Sequence, residues 1–433
     1  RTWKAITGDM PATAGWPHVI REDPKNRNLL YAGTEMGVWA SWDRGTHWVS
    51  LRGDLAAVPV RDLRVHPRDN DLIIATHGRG MYIMDDVSAL QNLQPAMTAA
   101  APATLFDVRP AIRWNFWNKD GNLGQKVWRG ENPPEGALIT YYLKQQPVRQ
   151  VDVEIADASG RVVRRYARVP DEAGVNRLNW DLRMAAAGGG GRGGGGRGGA
   201  APAQGADTSL AAFRARRRAA AESDQGGGGG GGFGGGGGTA VLPGTYNVTL
   251  IVEGQRYTKP VQVSLDPRSE MTAAQLQAQY TASMAAQAEV DRVNRVIASV
   301  DDLARQMTAL QANLRVVDSA SAPANRRQVL TEVGAALADL KQFRDSVLAR
   351  PLPGLGYRQY PRLREEAQSV QGMISRPMMQ PTAGELLRTR EIKSENDGAQ
   401  TRMDGIVQTR VAKINQLLAG SPHLITPPAR IIP

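Results

Sequence analysis

Two short loops carry the side chains best suited by type to do chemistry. Glu35 lies in the segment GTEMG at 33–37, and a lone glutamate can serve as the general acid of glycoside hydrolysis. That reaction also needs a second carboxylate at a defined separation, and no pattern in the sequence identifies one. Glu35 is therefore only a weak candidate for a catalytic residue, and we predict no catalytic site within this chain.

The second loop is THGRG at 76–80, which contains His77 and Arg79. Flanking glycines expose backbone amides beside a guanidinium, so these two residues could form an anion-binding corner. A structural interpretation, a hydrogen bond between neighbouring repeats combined with a tight turn, explains the same residues more simply. We keep His77 and Arg79 as possible binding residues.

The sequence lacks the residues and motifs that several other kinds of site require. The chain has no cysteine, which excludes disulfides, thiolate nucleophiles and cysteine-ligated metals. None of its five histidines forms an H-x-x-x-H pair. No nucleophile elbow, P-loop or dinucleotide fingerprint occurs between a strand and a helix. We therefore expect neither a cofactor nor a metal site.

The elements that would position these loops are indicated by SWDRGTHW at 41–48. Its spacing S-x-D-x-G-x-x-W is the Asp-box pattern, a hairpin turn that recurs on the blades of β-propellers. Ser41 opens the pattern, Asp43 can accept hydrogen bonds from the amides of the turn, Gly45 can adopt positive φ, and Trp48 can pack between blades.

A repeat supports this interpretation. Residues 23–43 align without gaps on residues 66–86, so that Asp43 meets Asp86, and the offset of 43 residues suits one four-stranded blade. The second copy lacks the following glycine and tryptophan, so its box is degenerate. The opening segment, RTWKAITGDMP at 1–11, resembles the tail of an earlier box.

Two blades cannot close a propeller, which typically needs four to eight to remove its sheet edges. We therefore expect the remaining blades to come from a longer precursor or from a separate chain. The start at Arg1 rather than Met is consistent with this expectation.

The fold class expected is multidomain, mainly β and then α. After the blades, short runs of alternating apolar and polar residues predict β-strands. Further on, capping boxes at Thr272 and Thr382 are followed by apolar residues at three-four spacing, which predict helices. The predicted order is terminal propeller blades at 1–94, a connector at 95–136, an immunoglobulin-like sandwich at 137–268 with a disordered glycine-rich loop at 188–238, an antiparallel helical bundle at 269–420 and a tail at 421–433.

The net charge of +11 points to anionic partners. We do not expect nucleic acid, because the arginines are scattered and no recognition module accompanies them. An RGG-like stretch at 192–199 is better explained as part of a flexible insertion. No apolar run approaches the roughly 20 residues needed to span a membrane.

Taken in order, the segments LLYAGTEMGVWASWDRGTHW, DLIIATHGRGMYIMDD, LFDVRPAIRW, NWDLR, LPGTYNVTL and SLDPR resemble the C-terminal portion of bacterial BNR/Asp-box repeat proteins. Those proteins have sortilin-like β-propellers and are often described as glycosyl hydrolase-like. The resemblance implies a large propeller, an immunoglobulin-like module and a terminal helical domain in an extracytoplasmic protein, whether periplasmic, on the cell surface or secreted. It implies carbohydrate hydrolysis too, but the arginine triad, tyrosine and acidic residues of sialidases cannot be placed on this sequence.

Two functions follow as expectations. The favoured one is a binding or scaffolding component of a larger assembly, with a protein or glycan ligand on the propeller face. The alternative is a carbohydrate-active hydrolase whose site lies on the propeller mouth, largely upstream of this chain. Paired carboxylates converging near Glu35 would favour the hydrolase.

Overall fold

The computed structural model describes residues 3–51, 53, 55–115, 133–185, 238–316, 325–351, 359–419 and 424–428. The fold combines β-sheets, one of which is curled into a half-barrel, with helices in the C-terminal part of the chain. The chain divides into two compact units, Arg1–Leu182 with Pro243–Asp266, and Arg183–Leu242 with Pro267–Pro433. The predicted disordered loop at 188–238 lies outside the described residues except for Gly238.

The first repeat is an antiparallel meander of four strands, β1 to β4 in chain order. They span Pro17–Glu22, Leu30–Thr34, Gly37–Ser41 and Val49–Ser50. A β-bulge interrupts the pairing of β1 with β2 between Pro17 and Val19.

The second repeat is a meander of three strands, β5 to β7. They span Val60–Val65, Leu72–Thr76 and Met81–Met84. The bulge recurs between Val60 and Asp62, at the positions 43 residues after those of the first bulge. The 43-residue period of the sequence is therefore also a period of the fold.

The gapless alignment is wrong by one residue in the central strand. Thr34 donates its hydroxyl to the Gly37 carbonyl at 3.3 Å, and Thr76 makes the same bond to Gly80 at 2.6 Å. The two threonines lie 42 residues apart and the two glycines 43. The second repeat has a hairpin one residue longer and a preceding loop one residue shorter, so Leu72 corresponds to Leu30 rather than to Leu29.

The N-terminal segment packs against the first repeat. The Trp48 amide donates to Asp9 Oδ1 at 2.8 Å, and the Trp48 indole donates to the Ile6 carbonyl at 2.9 Å. Gly8 and Gly53, which hold the same place after Trp3 and Trp48, both have φ of 45°. The segment therefore repeats the local conformation that follows the box.

Short helices and two further sheets complete the first unit. Helices α1 (Ser88–Gln91) and α2 (Leu93–Thr98) follow the second repeat. The strands of these sheets are β8 Ala103–Leu105, β9 Ala111–Arg113, β10 Ala137–Leu143, β11 Asp152–Ala156, β12 Val162–Ala167, β13 Gly174–Trp180, β14 Gly244–Val252 and β15 Gln255–Leu265. One sheet has three strands in the order β13-β10-β8, and the other has five in the order β12-β11-β14-β15-β9.

The predicted connector therefore contributes strands to both sheets, because β8 pairs with β10 and β9 runs parallel to β15. Trp180 and Tyr246 are both buried and meet edge to face with ring centroids 5.3 Å apart.

Helices α3 to α7 dominate the described part of the second unit. They span Ala273–Val316, Arg326–Phe343, Leu363–Ile374, Ala383–Ile406 and Ala412–Leu417. Both capping boxes form, since Gln275 N donates to Thr272 Oγ1 and Glu385 N donates to Thr382 Oγ1. All five helices contribute apolar side chains to one continuous core.

We predict that Gly8→Ala destabilises the N-terminal segment more than Gly53→Ala does. Both positions have the same φ, so the backbone strain of alanine is matched. A Cβ on Gly8 would lie 2.0 Å from the Thr46 carbonyl oxygen, whereas a Cβ on Gly53 meets nothing within 4 Å. We expect an additional cost of about 1–3 kcal/mol at Gly8.

Hydrogen exchange of the Trp48 amide, which bonds to Asp9, measures this difference locally. Equal acceleration in both variants would show that the N-terminal segment does not pack on the box turn.

Candidate functional site

The candidate site lies where the strands of the two repeats begin. His18 and Arg61 occupy the bulges of β1 and β5, 43 residues apart. A bulge redirects a side chain out of the regular alternation of a strand. The repeat thereby places an imidazole and a guanidinium in equivalent positions on neighbouring strands.

Glu35 joins this pair from the β2–β3 hairpin. Its amide donates to the Trp16 carbonyl at 3.1 Å, which fixes the hairpin beside the start of β1. Its carboxylate Oε1 lies 2.7 Å from His18 Nε2. Gly15 passes so closely that a Cβ there would lie 2.6 Å from the Cβ of Glu35. Residues 15–16 thus hold Glu35 beside the start of β1, where its carboxylate reaches the imidazole.

Arg61 contacts the same imidazole from another direction. Its Nη1 lies 2.9 Å from His18 Nδ1 and 3.1 Å from Nε2. In-plane hydrogen bonds at the two ring nitrogens diverge, so one donor atom at these two distances lies over the face of the ring. The result is a row of carboxylate, imidazole and guanidinium, in which the half-buried acid faces the ring edge and the exposed Arg61 covers the ring.

This row can bind a polar ligand. Among the described residues, the ion-pair partner of the Glu35 carboxylate is His18. The described residues also contain no group of three His, Cys, Asp or Glu side chains that could hold a metal ion.

His77 and Arg79 lie on the equivalent hairpin of the second repeat. The His77 amide donates to the Pro59 carbonyl at 2.8 Å, which repeats the bond from Glu35 to Trp16. Gly78 and Gly80 both take positive φ in this turn. No hydrogen bond or ion pair between described residues joins either side chain to the row around His18. The tight turn of the structural interpretation is present, but its hydrogen bond lies within the second repeat rather than between repeats. A binding role for His77 and Arg79 stays a prediction.

The Asp-box residues form a closed turn. The Ser41 hydroxyl bonds to Asp43 Oδ1 at 2.8 Å and accepts the Gly45 amide at 2.7 Å. Asp43 Oδ1 also accepts the amides of Thr46 and His47, at 3.0 and 2.9 Å. Gly45 has φ of 91°, and Trp48 is buried. These residues hold the turn rather than offer free groups to a ligand.

The turn perturbs two ionisable groups. Desolvation raises the pKa of Asp43, but hydrogen bonds from the His47 amide and imidazole, the Ser41 hydroxyl and the Thr46 amide outweigh it and lower the pKa to about 2. The same carboxylate, 2.5 Å from His47 Nδ1, raises the pKa of that exposed imidazole. The carboxyl therefore stays charged well into acid.

A buried polar network links the two repeats to helix α1. Gln91 Nε2 donates to both carboxylate oxygens of Asp23, at 3.0 and 2.9 Å, and to Asn70 Oδ1 at 3.0 Å. The Tyr31 hydroxyl donates to Asp23 Oδ2, and burial followed by the charge of Asp23 raises the pKa of Tyr31. Every member has partners, so the network is structural.

Sequence reasoning found Glu35 but missed His18 and Arg61. The signal was present, because extending the repeat alignment upstream pairs Pro17-His18 with Val60-Arg61. Neither residue type is unusual by itself, and only the bulge shows that both side chains leave the strand at the same place.

Comparisons with known proteins give no match. The searches matched no family model, no curated protein and no solved structure. Among the described helices, none is long and apolar enough to cross a membrane.

We predict that Asp43→Asn removes a pH dependence of stability between about pH 4 and pH 2. The folded pKa of Asp43 lies below the ordinary value of about 4. The ionised carboxyl therefore stabilises the fold above pH 4, and this contribution is lost as the pH falls towards 2. The variant keeps an acceptor at Oδ1 but has no charge to lose.

Urea unfolding followed by tryptophan fluorescence at pH 6, 4 and 2.5 measures the difference between wild type and variant. It should shrink as the pH falls. Asp107→Asn, at an exposed ion pair with Lys259, is the control. A difference that stays constant from pH 6 to pH 2.5 would contradict the account.

Proposed function

We propose that the protein is a binding or scaffolding component of a larger extracytoplasmic assembly. Its two repeats are the terminal blades of a β-propeller whose remaining blades come from further polypeptide. An immunoglobulin-like sandwich and an antiparallel helical bundle follow the blades and dock to the assembly. The observation that carries the proposal is the unequal covering of the two repeats.

The first repeat is covered on both faces. Tyr31, Val38 and Ala40 point to one face and are fully buried in a core shared with the second repeat. Leu30 and Ala32 point to the other face and pack with Trp48 and Met10. Both faces of a meander are therefore used for packing in this protein.

The second repeat is covered on one face only. Leu72 and Ile74 are buried against the first repeat. On the opposite face, Met81 and Ile83 hold the positions of Val38 and Ala40, but they are 70% and 61% exposed. The face that is buried in the first repeat is thus open in the second, although it carries larger apolar side chains.

An open apolar sheet face of this kind marks a packing surface. Within the protein, the structure that covers the equivalent face is another meander repeat. The simplest occupant is therefore a further repeat of the same kind, which would extend the stack by one blade.

The row of Glu35, His18 and Arg61 offers a polar contact for a protein or glycan ligand. It supports binding, because a carboxylate, an imidazole and a guanidinium together offer hydrogen-bond acceptors and donors to one ligand. The positive net charge favours an anionic ligand.

We predict that Glu35→Gln leaves glycoside hydrolysis unchanged. A binding protein should release no 4-nitrophenol above background from a panel of 4-nitrophenyl glycosides, with or without the substitution. The folded state should lose less than about 1 kcal/mol, because the pair with His18 is partly exposed. Turnover by the wild type that falls at least about a hundredfold in the variant would establish the hydrolase instead.

We predict that Met81 is shielded in the native assembly and reactive in the isolated chain. Oxidative footprinting with peroxide, read by mass spectrometry, compares protein purified from its source with the chain of 433 residues alone. Met36, on the β2–β3 hairpin and 51% exposed, is the reactive control, and the buried Met403 is the protected one.

Shielding of Met81 while Met36 stays reactive supports a repeat on the open face. Equal oxidation of Met81 in both preparations would show that nothing packs there, and the proposal would fail.

A further inference from the structure

Strand β7 ends the second repeat with a free edge. In the first repeat the corresponding strand, β3, is paired on both sides. Trp39 lies opposite Ser50, Ala40 lies opposite Val49, and the Leu51 amide donates to the Val38 carbonyl at 2.8 Å. The fourth strand, β4, thus satisfies the outer backbone groups of β3.

The same backbone groups of β7 have no such partner. Thr76 N donates to the Gly80 carbonyl, and in the alternating antiparallel pattern that follows, the amides and carbonyls of Met81 and Ile83 point away from β6. No other described residue hydrogen-bonds to them, since β7 pairs with β6 alone. Two donors and two acceptors form an open edge.

The chain following β7 cannot supply the missing strand. The box positions of Gly45 and Trp48 are held by Ser88 and Gln91, and residues Ser88–Gln91 form helix α1. Gln91 is buried and bonded to Asp23 and Asn70, which holds the helix in place. Extending this segment as a strand would break that network and remove the Gln91 side-chain amide from Asp23.

The edge also lacks the usual protection of exposed edges. Natural edge strands are shielded by charge, proline or a covering element. Strand β7 reads Met-Tyr-Ile-Met, with neither charge nor proline, and Met81 and Ile83 are exposed on it. Such an edge is suited to receive a strand.

We propose that the free edge of β7 binds a fourth, antiparallel strand supplied by the additional repeats. This inference rests on the proposed function, because those repeats must exist. By the register of β4, the strand places a β-branched apolar residue opposite Ile83 and a small polar residue opposite Tyr82. The residue equivalent to Leu51 donates its amide to the Met81 carbonyl. A second copy of this chain does not offer this register, since its own strand of this type, β4, is already paired with β3.

The test tethers a strand of known register to the full chain. The segment THWVSLRG, which is the sequence of residues 46–53, is fused to the N-terminus through a Gly/Ser linker of about 40 residues, which spans roughly 35 Å. Tethering raises the effective concentration into the millimolar range, so weak pairing is still detected. Hydrogen exchange by mass spectrometry is read in peptides that contain Met81–Met84, with Val38 and Ala40 as the paired reference.

The expected result is exchange at Met81 and Ile83 at least about tenfold slower than in the untethered chain. A matched tether in which the valine and serine are replaced by proline should give no protection, because proline cannot donate to the ladder. Ile83→Pro should abolish the protection from the first tether.

Unchanged exchange with the active tether overturns the inference. So does protection of the same amides in the untethered chain when light scattering shows a dimer, because a second copy would then occupy the edge. Shielding of Met81 in the native assembly tests the proposed function separately. The proposed function and the pairing of a strand with β7 can therefore be contradicted independently.

Discussion

The apolar contact between the two meander sheets is the constraint on which the rest of the first unit depends. A sheet of three or four short strands is not stable by itself and must bury a face against another element. Here Val19, Tyr31 and Val38 of the first repeat share a core with Leu63 and Leu72 of the second. This contact covers one face of each repeat, and Trp48 and Met10 cover the other face of the first. The opposite face of the second repeat, with Met81 and Ile83, stays open.

The contact also decides where polar chemistry is placed. Stacking sets the starts of β1 and β5 side by side, and their bulges turn His18 and Arg61 towards each other. The hairpin that follows β2 then brings Glu35 to the imidazole. At the other end of β3, the Asp43 turn and Trp48 secure the fourth strand and the N-terminal segment. The repeated meander thus positions both the row of Glu35, His18 and Arg61 and the turn at Asp43.

Much of this organisation could be predicted from local sequence. The box residues determine a turn through their own hydrogen bonds, and the capping boxes at Thr272 and Thr382 mark helix starts for the same reason. The 43-residue period can be recognised in the sequence because apolar residues and glycines recur in the same order in both repeats. The helices at 269–420 followed from their three-four spacing.

The rest depended on contacts that local patterns do not encode. In the second repeat, one loop is a residue shorter and the next hairpin is a residue longer. The two changes cancel, so a gapless alignment does not show the shift at Thr76. Helix α1 replaces the fourth strand because Gln91 finds buried partners 68 and 21 residues away. The strands β8 and β9 were assigned to a connector because each has only three residues, and their pairing is set by distant strands.

We propose that these two repeats belong to a longer stack. Intact mass and N-terminal sequencing of protein purified from its source test this proposal most directly. We expect either a polypeptide longer than this one or a stoichiometric second polypeptide, in each case with further Ser-x-Asp-x-Gly repeats. A native species of 46.7 kDa that begins at Arg1 and has no repeat-bearing partner would contradict it.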